Sequence, residues 1–159
     1  MTIDVIVECD AWETAGIEAL AGRAFQAVAA RFDWADGAYE AALLACDDAR
    51  IAVLNADFRG KPTPTNVLSW PSEERDMPET MPAGEELGDM AIAFETCTAE
   101  AVAQNKLFEA HVSHLIVHGL LHLLGFDHET EQEAAIMEQI EVEILAKMGI
   151  SDPYKEAGN

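Results

Sequence analysis

All five histidines of the chain fall within residues 111–128, HVSHLIVHGLLHLLGFDH. His114, His118 and His122 are four residues apart, so on a helix they share one face. Gly125 interrupts the helical pattern, and His128 follows three residues later. Two histidines at i and i+4 can grip one metal ion from a helix face. A glycine tolerates positive φ and can turn the chain, returning a third imidazole to the same ion. The expected ligands are therefore His118, His122 and His128. Three imidazoles leave one coordination position open, as catalytic zinc sites do, whereas a structural zinc is closed by four protein ligands. A water in the open position has its pKa lowered towards about 7, which supplies hydroxide at neutral pH. His114 is a candidate for a place behind the ligands or for competing with them, and His111 is expected on the helix surface. A lone histidine on an apolar helix is usually a hydrogen-bonded core residue. Five in one stretch, with none elsewhere, read as a metal site.

The rest of the chain must hold these residues in place. At 159 residues, one domain spanning 1–159 is expected, with enough chain to bury a sizeable core. Half of the residues are apolar, which excludes a disordered chain. The net charge of −21 argues against a broad basic surface for nucleic acid. With nine Lys and Arg in all, any contact with RNA must be local, through a metal and a few cations. A nucleic acid bound by so acidic a chain would be held weakly and in a salt-sensitive way. Cys9, Cys46 and Cys97 are widely spaced without a C-x-x-C, so they read as reduced, packed residues of a cytoplasmic protein. The N-terminus lacks the form of a signal peptide, and no segment is long and apolar enough to span a membrane.

Alternation of Ile3, Val5 and Val7 predicts a first strand. Asp10 and Glu13 resemble a capping box for a helix whose apolar face is Ile17, Leu20, Ala24 and Val28, ending near Arg31. Residues 39–46 predict a second strand. Asp47 or Asp48 should cap a short helix that stops at Gly60. Pro62 and Pro64 exclude a helix in the next stretch, and Thr65, Val67, Leu68 and Trp70 fit a short strand. Residues 71–86, rich in proline and glutamate, predict a long loop of flap type. Leu87–Glu95 predicts another strand. Thr98 should cap a helical stretch that runs to Leu124, with Glu100 in its first turn and a break near Asn105. Thr130 and Glu133 form a capping box for the last helix, with Ile136, Ile140, Ile144 and Met148 as its buried face and Gly149 as its end. The fold class is α+β with layered α/β character: a mixed sheet of about four strands packed with helices, the metal-bearing helix and turn coming late. The order of the strands does not follow from these patterns.

The spacing of His118, His122, Gly125 and His128 is shared with the metzincin proteases, in which the residue after the first histidine is the glutamate that acts as general base. Here that residue is Gly119, so a peptidase would need Asp127 or Glu129 in its place. A different resemblance covers nearly the whole chain. HGLLHLLGFDH, with LNADFRGKPTPTNVLSW, LGDMAIA and the DPY at 152–154, resembles the YbeY family of bacterial metal-dependent endoribonucleases. Two positions depart from the common pattern: Asn66 stands where aspartate is usual, and Trp70 where phenylalanine is usual.

The resemblance implies cleavage of single-stranded RNA with a zinc-like ion held by His118, His122 and His128. It implies work in ribosomal RNA processing, notably 16S rRNA 3′-end maturation, and in ribosome quality control. The implied partners are ribosomal RNA and the small ribosomal subunit, with ribosomal proteins or a ribosome-associated GTPase as further candidates. Arg59 matches the family's arginine and, with His118, is counted as catalytic; its planar fork suits phosphate oxygens. Asn66, Ser69, Asp89 and Asp127 are candidates for contact with substrate or for orienting a ligand, and Trp70 for stacking or for the core. The competing readings are a metzincin-like metalloprotease and a non-catalytic assembly factor with a structural metal.

Overall fold

A computed structural model describes residues 3–35, 37–71, 86–127 and 129–154. In chain order the elements are β1 (Ile3–Val7), α1 (Asp10–Ala15), α2 (Ile17–Arg31), β2 (Glu40–Cys46), α3 (Asp48–Arg59), β3 (Val67–Pro71), β4 (Glu86–Ala93), α4 (Phe94–Ala103), α5 (Phe108–Leu123) and α6 (Glu131–Lys147). The strands form one sheet in the order β1-β2-β4-β3. β1, β2 and β4 run parallel, and β3 pairs antiparallel with β4. This is the expected four-stranded mixed sheet of an α+β fold. The anticipated 71–86 loop lies almost wholly outside the described residues.

The two faces of the sheet are covered unequally. Alternate strand residues point to opposite faces. Leu43, Met90 and Ile92 share the main core with α2, α5 and α6, through Leu20, Phe25, Ile116, Leu120 and Ile144. Leu68, Ala91 and Ala93 face the other way and make a small second core with Ile51 and Leu54 of α3. Helix α5 is buried on nearly all sides, which explains why its sequence is apolar beyond one stripe. It sits directly on the sheet at Gly119: a Cβ there would come within 2.6 Å of Met90 Sδ and 3.1 Å of Ser69 Oγ. Ser69 Oγ donates to the Gly119 carbonyl at 3.3 Å, fixing α5 to the edge strand β3.

Local signals account for most helix ends. The Asp47 side chain accepts from Arg50 N–H at 2.8 Å, and α3 stops at Gly60 with φ 71°. Thr130 accepts from Glu133 N–H at 3.1 Å to open α6. Three expectations need correction. The helix expected to end near Arg31 is broken in two by Gly16 at φ 76°, and its N-cap position is Cys9 without a side-chain cap, so Asp10 is the first helical residue. Helix α4 begins at Phe94 immediately after β4; Thr98 lies inside it and donates to the Phe94 carbonyl at 2.9 Å. On α6, Ile136 is 48% exposed, and the buried face is Met137, Ile140, Glu141, Ile144 and Leu145. Each step of four residues drifts about 40° around a helix of 3.6 residues per turn, so the true face follows the i, i+3, i+4, i+7, i+8 rhythm instead.

Candidate metal centre

The packing of α5 between the sheet and α6 turns His114, His118 and His122 towards one cleft of about 840 Å³. Arg59, Asn66, Ser69, Asp127 and Tyr154 also line it. A larger groove of about 1450 Å³ runs between α2, the start of α5 and the segment after α6, and meets this cleft at His114. The smaller cleft is the one lined by His118, His122 and Arg59 together.

Glu141 of α6 is the residue that organises the histidines. It is fully buried, an expensive place for a carboxylate unless its oxygens are hydrogen-bonded. His118 Nδ1 lies 2.6 Å from Oε2, and His114 Nε2 lies 2.9 Å from Oε1. The Tyr154 hydroxyl donates to the same Oε1. An ionised carboxylate only accepts, so the ring nitrogens facing it carry protons. Burial pushes the Glu141 carboxyl up, but the hydrogen bonds from His114 and His118, the charge on His118 and the Tyr154 hydroxyl outweigh it and hold it down at about 2. Burial, followed by the hydrogen bond to Glu141 and its charge, drives the Tyr154 hydroxyl far up, so it stays a donor.

With Nδ1 held by Glu141, His118 directs Nε2 towards His122. The two Nε2 atoms are 3.1 Å apart. Two nitrogens bound at about 2.0–2.1 Å to a tetrahedral zinc stand about 3.3–3.4 Å apart. The pair stands slightly closer than that, and the two rings would part by about 0.2–0.3 Å to share one ion. Ligand atoms of His114, His118 and Glu141 also lie within 4.8 Å of one another. Their 2.6 and 2.9 Å contacts, however, are hydrogen-bond lengths, shorter than the separation of two groups sharing an ion. The buried carboxylate is better placed to orient His118 than to hold the metal. His128, the expected third ligand, lies outside the described residues.

The other candidates fall on both sides of the sheet. Arg59 is exposed at the last turn of α3, on the rim of the cleft. Asp127 also lines the cleft. Asn66 Nδ2 donates to both oxygens of Glu100, at 3.1 and 3.3 Å, and Glu100 in turn meets His111 Nε2 at 2.9 Å. His111 is thus a buried partner of α4, 4% exposed, and not the surface residue expected. Asp89 is exposed on β4, directly across from Trp70 on β3. Both lie on the face covered by α3, opposite Met90 and Ser69, and Trp70 packs edge-on against Phe58 at 5.2 Å. The fold does not bring Asp89 or Trp70 to the histidines. Two residues of the centre were missed by the sequence reading. Glu141 was legible only as a charge in phase with Met137, Ile140 and Ile144; Tyr154 was noted for resemblance alone.

A family model described as Endoribonuclease YbeY matches residues 6–149. The chain belongs to the YbeY family. Relatives named Endoribonuclease YbeY include one from Dinoroseobacter shibae, 51% identical over 97% of this chain and 91% of the relative. One from Jannaschia sp. is also 51% identical, over 97% of this chain and 100% of the relative. One from Paracoccus denitrificans is 49% identical over 97% and 90%. The solution structure of TM1509 from Thermotoga maritima matches with a TM-score of 0.61 and 22% identity, covering 98% of this chain and 100% of that one, which supports the fold. Gly119 takes its physical meaning from the packing of α5 on the sheet. A metzincin glutamate at that position would have to enter the 2.6 Å gap to Met90, so neither the packing nor the relatives favour a protease. No helix among the described residues is long and apolar enough to cross a membrane.

Proposed function

We propose that this chain is a zinc-dependent endoribonuclease that cuts single-stranded ribosomal RNA in the cytoplasm, in 16S rRNA 3′-end maturation and ribosome quality control. The observation that carries the reading is the His118–His122 nitrogen pair, 3.1 Å apart in a cleft rimmed by Arg59, in a chain about half identical to proteins named endoribonucleases. His118, His122 and His128 would hold the ion. When bound, it supplies a Lewis acid for a phosphoryl oxygen and a water of lowered pKa.

The chain's own residues do the rest. Glu141 holds the proton of His118 on Nδ1 and so keeps Nε2 free to bind. Arg59 brings a fixed positive charge to the phosphate as negative charge grows on it. Gly119 carries no base, so proton handling falls to the cleft's other groups, among which Asp127 is the nearest candidate in sequence to the ligands. The small ribosomal subunit, with its proteins or an associated GTPase, is the proposed partner, since a chain of net charge −21 gains little from long-range attraction to RNA.

The test is cleavage of a single-stranded 3′ fragment of 16S rRNA by the zinc-loaded protein, beside His122→Ala purified identically. Cutting by the wild type alone supports the reading, and Arg59→Ala should then slow cleavage by about a hundredfold or more without loss of stability. Equal cutting by both proteins refutes it as contamination. If neither cuts free RNA, the same pair is compared on isolated small subunits, and failure there favours the non-catalytic assembly factor.

A further inference from the structure

The segment after α6 carries an aromatic ring, Tyr154, that the metal centre alone does not explain. Tyr154 is 46% exposed, yet it is held at several points. Its hydroxyl donates to buried Glu141 and lies 3.2 Å from His114 Nε2. Its N–H donates to Asp152 Oδ1 at 2.8 Å, and Lys106 Nζ donates to the preceding Pro153 carbonyl at 2.7 Å. The ring stands edge-on to His114, with centroids 5.3 Å apart and an interplanar angle of 82°. It lines the same cleft as Arg59, His118 and His122.

We propose that the Tyr154 ring is a stacking platform for an unpaired nucleobase of the RNA strand, next to the phosphate that meets Arg59 and the histidine pair. The proposal rests on the endoribonuclease reading and adds to it the means of selecting single strands. An aromatic side chain offers flat apolar area to a base of any sequence. A Tyr tied by its hydroxyl and its backbone has already lost the freedom that a loose ring would lose on binding. In a duplex both faces of each base are covered by the stack, so a platform beside the metal accepts a base only from an unpaired strand. A role confined to anchoring Glu141 would need the hydroxyl and not the exposed ring, and this difference makes the two roles separable.

The experiment compares wild type, Tyr154→Phe and Tyr154→Leu. Binding of a short fluorescein-labelled single-stranded oligoribonucleotide is followed by anisotropy, with zinc bound and, to suppress cutting, with zinc removed by EDTA. KM and kcat are measured on the zinc-loaded proteins, and zinc affinity is titrated for each. Tyr154→Leu is expected to weaken RNA binding about fivefold or more, by roughly the effect of losing one base–aromatic stack, and to raise KM in proportion. Tyr154→Phe is expected to bind RNA within about twofold of wild type, because the ring remains, even where its zinc affinity falls. Equal RNA binding by Tyr154→Leu and wild type overturns the platform, and so does a Phe variant as weak as the Leu variant. If the wild type binds no free single-stranded RNA, the three proteins are compared on isolated small subunits: equal cleavage by Tyr154→Leu and wild type there overturns the platform alone, whereas no cleavage by any of them overturns the endoribonuclease reading and the platform with it.

Discussion

Replacing Glu141 by glutamine is the most direct test of how the centre is held. The substitution keeps the size of the side chain but removes its charge and one of its two accepting oxygens. Three groups point at the carboxylate: His118 Nδ1 at 2.6 Å, His114 Nε2 at 2.9 Å and the Tyr154 hydroxyl. An amide accepts through its oxygen only, so one side of the new side chain would set an N–H₂ group against groups that now donate. A hydrogen bond to a charged partner contributes about 1.5–3 kcal/mol, and at least one such bond is lost. Loss of a carboxylate that orients a ligand histidine lowers metal affinity about tenfold to a hundredfold, equivalent to about 1.4–3 kcal/mol. Zinc affinity is measured by competition with a chromophoric chelator, and the stability of the metal-free protein by urea unfolding. Both should fall. A Glu141→Gln protein that unfolds more easily but binds zinc as tightly as wild type would refute the orienting role and leave Glu141 as a core residue only.

Acid should expose the same carboxylate. Its folded pKa is depressed from 4.5 to about 2, so its stabilisation is present above 4.5 and is lost as pH falls towards 2. Metal-free wild type should therefore lose up to about 3 kcal/mol more than Glu141→Gln across that window in urea titrations, and parallel pH curves would contradict the assignment. Gly119→Ala gains helix propensity but drives a methyl against Met90 Sδ at 2.6 Å; net destabilisation of about 1–3 kcal/mol is expected, and an unchanged urea midpoint would show that α5 is not pressed on the sheet there. Asn66→Asp sets a carboxylate about 3 Å from Glu100 in place of a donor. It should destabilise the chain by roughly 1–3 kcal/mol at neutral pH, with recovery in the Asn66→Asp, Glu100→Gln double variant; additive losses would disprove the coupling.

The sequence alone carried whatever depends on neighbours along the chain. The histidine spacing, the caps at Asp47 and Thr130, and the stop at Gly60 are local, because a helix end is settled by the few residues that meet its unpaired N–H and C=O groups. The resemblance carried by HGLLHLLGFDH was legible for the same reason: its three histidines are close neighbours along the chain. Thr98 shows where such signals mislead, since β4 passes straight into α4 and leaves that residue inside the helix. Tertiary structure decided the rest. It set the strand order, placed Trp70 and Asp89 on the face away from the histidines, and buried His111 against Glu100. It also chose the face of α6 that meets α5. The partners of Glu141 lie 13 to 27 residues away, on another helix and beyond the end of its own, so no local pattern distinguishes this carboxylate from a solvated one. Only the packing of α6 on α5 removes its water, and a carboxylate without water must take its hydrogen bonds from the side chains that surround it.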